Sequence, residues 1–292
     1  DNNRASENGG AVNLTFIHED DNNNVVTSSI NDSVFNNNTA NNGGAIYAEV
    51  GNGNKVITMD FNGNSYNNNV AWGNGGAINL TSFGSEELTT NVTGSEFVGN
   101  SAYNGGAVYA HIADGNKTVA LNISDNNFAS NSANENGGAV YIEAIGTSET
   151  VKSTISNSSF SQNTAGKDGG AIYAKTSENV TFGTLTVENS TFNENKAENG
   201  GAIAAETYVT VSNSQFDSNE ATNFGGAIYA VGGVNVADTN FYNNKASQGS
   251  AIYASQATIF AENNDVVISG NEGNALYITG GQLGLVAYEG KT

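Results

Sequence analysis

The chain has 292 residues, with 36 Gly, 50 Asn, no Pro and no Cys, which excludes a disulfide scaffold and any thiol chemistry. Its 29 acidic residues against 9 basic ones give a formal charge of -20, which repels nucleic acid and anionic membrane surfaces. No apolar run approaches the roughly 18 residues of a spanning helix, so no direct membrane insertion of this segment is expected.

High Asn content and high charge could indicate disorder, but an internal repeat decides against it. Gly-Gly-Ala recurs from Gly9-Gly10-Ala11 through Gly43-Gly44-Ala45, Gly75-Gly76-Ala77 and Gly105-Gly106-Ala107 to Gly137-Gly138-Ala139. It continues at Gly169-Gly170-Ala171, Gly200-Gly201-Ala202 and Gly225-Gly226-Ala227, with decayed copies at Gly249-Ser250-Ala251 and Gly273-Asn274-Ala275. The spacing is roughly 30 to 34 residues at first and then 24 or 25, the signature of a solenoid.

Within each copy the elements follow in a fixed order. A first strand is expected after Gly-Gly-Ala, where Ile46, Ile78, Val108, Val140, Ile172 and Ile203 hold one slot and small or apolar residues stand two positions on. A second strand carries Phe61, Val92, Ile123, Ile155, Val187 and Val211 on its inner face, with polar residues beside them. A turn follows at Asp32, Gly63, Gly94, Asp125, Asn157, Asn189, Asn213 and Asp238, residue types that tolerate left-handed backbone angles.

An aromatic comes next, then Asn three residues later. Phe97, Phe128, Phe160, Phe192 and Phe216 are expected in one buried stack, and Asn100, Asn131, Asn163, Asn195 and Asn219 in a ladder beside it. The Gly pair either takes positive backbone angles or lets the chain pass close to its neighbour. Nothing has helical spacing. The fold expected is all-β, a right-handed parallel β-helix of about ten coils with three short strands each.

Coils differ in width. Residues 1–202 carry hydrophilic extensions such as Gly51-Asn52-Gly53-Asn54-Lys55 and Ser85-Glu86-Glu87, whereas 203–292 are narrower. The whole of 1–292 reads as one β-helix domain and as a piece of a longer array, because solenoids need polar caps.

One residue beyond the inward Ile/Val stand Tyr47, Tyr109, Tyr141, Tyr173, Tyr229, Tyr253 and Tyr277, interrupted by Asn13, Asn79 and Ala204. Alternation turns them outward. The row serves either as stacked rings shielding the sheet or as an exposed aromatic binding face for a glycan or a protein.

Gly-Gly-Ala-[Ile/Leu/Val] alternating with Phe-x-x-Asn resembles the repeat of chlamydial polymorphic membrane proteins and of related autotransporter passengers of Gram-negative bacteria. Residues 277–292 resemble the middle region of such passengers, and Asn-rich adhesin-like proteins of gut archaea are similar too. The resemblance implies secretion through an outer-membrane barrel and display at the bacterial cell surface. The partner it implies is a host-cell surface protein or glycan, or another copy of the chain.

Parallel β-helices also carry polysaccharide lyases and hydrolases, so catalysis needs its own test. The sole Arg is Arg4, and His18 and His111 show no partner at ligand spacing. Asp60 has Ser29 and Asn91 as its counterparts rather than a second carboxylate, and Glu19-Asp20-Asp21 reads as a solvated loop. Trp72 reads more readily as packed on its own corner than as an exposed contact. The chain is therefore expected to be no enzyme and to need no cofactor or metal. The function expected is a surface-displayed adhesin segment, with a self-associating stalk as the alternative and a polysaccharide-degrading enzyme as the second.

Overall fold

The computed structural model describes residues 1–17, 24–51, 54–113, 115–146, 150–176 and 183–287. His18, Glu19-Asp20-Asp21 and the closing residues 288–292 lie outside the described residues, as do several loop tips.

The described residues are all strand, turn and irregular chain with no helix, and every paired strand runs parallel to its counterpart in the next coil. They form a β-solenoid of about eight turns rather than ten. Among the described residues the narrow sheet that closes each turn has seven strands, from Thr39–Ala40 to Glu220–Phe224, and continues beyond them as isolated bridges at Arg4, Lys245 and Glu272.

A full coil has four strands where three were expected. Ile172–Thr176 and Gly183–Glu188 lie in a broad sheet, Thr191–Asn193 in a second and Lys196–Asn199 in a third. The broad sheet holds two strands per coil, in the narrow coils as well, as at Ile203–Ala205 and Tyr208–Ser212. Near the end the two merge into one continuous strand, Ile252–Ala261, which pairs with both Ile228–Ala230 and Val234–Ala237.

Burial follows the period-2 pattern. Ile46, Ile78, Val108, Val140, Ile172 and Ile203 are fully buried, and so are Val92, Ile123, Ile155, Val187 and Val211. They belong to one hydrophobic cluster that extends along the stack. On the second sheet the aromatics are in register, and Phe97–Phe128, Phe128–Phe160, Phe160–Phe192 and Phe192–Phe216 stack at 4.6, 4.8, 4.8 and 4.6 Å. Their planes deviate by 3° to 7°. That spacing is the strand separation of a sheet, so each ring lies on the one below without adjustment.

Asn100 donates to the side-chain oxygen of Asn131, Asn131 to Asn163, Asn163 to Asn195 and Asn195 to Asn219, each at 3.0 Å. Each amide also donates to a backbone carbonyl one coil away, as Asn163 does to Phe128 at 3.0 Å. These side chains are fully buried, and the ladder supplies the partners that burial demands.

Both tasks expected of the Gly pair are carried out, one by each member. Gly169 has φ +68, while a Cβ on Gly170 would run into the carbonyl oxygen of Gly201 and lie 2.7 Å from the Lys196 nitrogen. The turn slot is left-handed throughout, from Asp32 (φ 49) and Asp125 (φ 60) to Asp238 (φ 48). A second left-handed turn lies between aromatic and Asn, held by Asn37, Asn68, Gly99, Asn243 and Gly270, which favour it, and by Ser130, Gln162, Glu194 and Ser218, which have no strong preference for it. The Asn ladder fixes that turn, because the backbone N–H of each Asn donates to the side chain of the next.

Candidate functional site

The tyrosine slot is in register from Asn13 and Tyr47 through Asn79, Tyr109, Tyr141, Tyr173, Ala204, Tyr229 and Tyr253 to Tyr277. Its side chains leave the main core, but the row is not the exposed face expected from alternation. Tyr109, Tyr141 and Tyr173 are only 8, 6 and 6% exposed and form a second cluster with Ala204, while Tyr47, Tyr229, Tyr253 and Tyr277 are half-buried.

The chain leading into Gly-Gly lies along the row and covers it. Where Asn79 replaces Tyr, its amide donates to the Asn74 carbonyl of that segment at 3.2 Å. Farther along, the Phe224 ring of the same segment packs on Tyr253 at 4.8 Å.

The hydroxyls meet carboxylates. Tyr109 donates to Glu143 at 3.0 Å and Tyr173 to Glu206 at 2.5 Å. His111, expected without a partner, lies 3.1 Å from the same Glu143 oxygen, because the coil above places Glu143 in its register slot. The His111 contact, followed by the Tyr109 hydroxyl, holds the Glu143 carboxyl below the ordinary carboxylate range, although burial opposes this. Burial raises the Asp168 carboxyl.

Burial, reinforced by Glu143 and Glu206, raises the Tyr109, Tyr141 and Tyr173 phenols. A raised folded-state value means stability that is complete below the unfolded phenol value of about 10 and is lost above it. We expect the chain to lose stability as pH rises past about 10, and ultraviolet titration to show these tyrosines ionising only as the fold opens. Free ionisation of all tyrosines with the strand spectrum unchanged would contradict the covered row.

Because both rings are buried, substituting Tyr141 and Tyr173 by Ser should lower the melting temperature.

Trp72 is 52% exposed, with the Arg4 guanidinium 5.4 Å from its ring, and is not packed into its corner. Tyr103, in the next coil, is also exposed, and in the two coils after it Glu135 and Lys167 pair at 2.8 Å. Asp60 accepts from Asn91 at 2.8 Å. Of the remaining loop candidates, Glu86 pairs with Lys117 at 2.9 Å. Among the described residues no group of three His, Cys, Asp or Glu side chains is placed to hold a metal.

Fold and surface together define a repeat scaffold, in which the recurring residues are used for stacking and the outward ones vary from coil to coil. Five segments, residues 32–49, 157–175, 189–206, 213–231 and 238–255, are similar to the Chlamydia polymorphic membrane protein (Chlamydia_PMP) repeat. Comparison with curated proteins and with solved structures gives no match.

Proposed function

We propose that this chain is a segment of a non-enzymatic, autotransporter-like adhesin, displayed outside the cell at the bacterial surface. It attaches to host cells or glycans through a lateral face of the rod. The observation that carries this reading is the division of labour within the matched repeats. Phe160, Asn163 and Gly170 are consumed by coil-to-coil stacking, whereas outward positions of the same coil are free to differ. A scaffold of this kind presents a long surface along its coils.

Beads coated with the chain should adhere to epithelial cells and be displaced by soluble chain. Sedimentation at rising concentration separates host attachment from self-association, since a stalk that pairs along its length gains mass with concentration. Beads that fail to adhere, or release of reducing sugar ends from polysaccharide by the purified chain, would contradict the proposal.

A further inference from the structure

Along the corner between the broad sheet and the aromatic sheet runs an open groove of about 620 Å³ that crosses five coils, from Gly63 to Thr191. Its floor is the row Asn64, Ser95, Asn126 and Ser158, all buried and fixed by bonds to the next coil. Ser95 N–H donates to Asn126 at 2.8 Å, and Asn126 N–H to Ser158 at 3.2 Å. The floor is therefore rigid and polar before anything binds.

One wall is the left-handed turn slot. Asp125 carries a carboxylate there and Asn157 and Asn189 amides; at Gly63 the Asp32 carboxylate of the neighbouring coil lies where a Cβ would be, but Gly94 carries nothing. A Cβ on Gly94 would meet nothing within 4 Å, so the groove is deepened by the absent side chain and not by a fault in packing. On the other wall Glu96, Asn127 and Thr191 are exposed.

We infer that this groove binds a linear, neutral glycan. The inference rests on the adhesin reading and names the ligand class for it. Coils repeat at about 4.8 Å, close to the length of one pyranose ring in an extended polymer, so each successive sugar meets a polar side chain of the next coil, Ser65, Glu96, Asn127, Ser159 and Thr191 in turn. An extended peptide advances about 3.3 Å per residue and drifts out of step with those groups. Glu96 and Asp125, together with the net charge of -20, repel anionic polymers.

The test titrates neutral β-1,4-linked hexasaccharides of glucose, xylose and mannose, a polyuronate hexasaccharide and an extended Ser/Thr peptide into the chain by calorimetry. At least one neutral hexasaccharide should bind saturably, and the polyuronate and the peptide should not. Gly94→Asn places in the groove a residue that the same turn slot already holds at Asn157 and Asn189, so the melting temperature should not change. Affinity should nevertheless fall by about tenfold or more as the amide fills the groove.

Replacing both Glu96→Gln and Asp125→Asn should let the polyuronate bind. Absence of binding by all three neutral sugars, affinity unaltered by Gly94→Asn, or the peptide binding in their place would overturn the inference. Cell adhesion without sugar binding would remove the groove and leave the adhesin reading standing. Sugar binding by a chain that does not adhere would do the reverse.

Discussion

Replacing Phe160 by Ala should destabilise the fold by about 3 to 5 kcal/mol, the usual cost of removing a buried aromatic from a packed core. The ring is fully buried and lies 4.8 Å from Phe128 on one side and 4.8 Å from Phe192 on the other, so the cavity has two aromatic faces and no solvent. The backbone on both sides is held by strand pairing to neighbouring coils, which prevents collapse into the space. In a solenoid each coil contacts only its neighbours, so the loss falls on two interfaces, and the variant should unfold in two steps that divide near residue 160. Phe160→Leu keeps most of the volume and should cost less. A denaturation midpoint unchanged in Phe160→Ala would show that the stack carries no stability.

The second large effect is at Asn163. Its oxygen accepts from the backbone N–H and the amide of Asn131, both at 3.0 Å, and its amide donates to Phe128 and Asn195, both at 3.0 Å. Asn163→Leu conserves size but strips those bonds from groups that remain buried. At about 1 to 3 kcal/mol per orphaned group, a loss of about 3 kcal/mol or more is expected.

Asn163→Asp adds a test with a sign. The carboxylate can still accept from Asn131, but ionised it can no longer donate to Phe128 or Asn195, and it is charged in a site without solvent. Its folded-state value must lie above the ordinary one. The variant should then be most stable below the unfolded carboxylate value of about 4 and weaken as pH rises through the folded one. Equal stability of Asn163→Asp and the parent at neutral pH would contradict a buried ladder.

The sequence by itself determined the repeat geometry. Stacked coils put each position above its own counterpart, so a residue's neighbour is a copy of itself, and identity at Phe160 or Asn163 reads directly as contact. The turn at Asn157 was legible for the same reason, since Gly, Asn and Asp alternate there and share one backbone preference.

The turn at Gln162 was missed although Asn37, Asn68, Gly99, Asn243 and Gly270 mark its slot in other coils; at Gln162 itself the left-handed backbone is held by the hydrogen bonds of Asn163 and not by its own side chain. The tyrosine row lay beyond sequence reasoning in another way. Alternation tells which side of a strand Tyr141 leaves by, but not what lies on that side. Only the path of the chain into Gly-Gly, which lies along the rings, decided that the middle of the row, Tyr109, Tyr141 and Tyr173, is buried. The groove depends likewise on an absence, since Gly94 in a sequence is one more turn residue, and only the walls around it turn a missing side chain into space. Periodic contacts between like residues are written in one dimension, whereas coverage and concavity arise between unlike segments of a coil and exist only once the coil has closed.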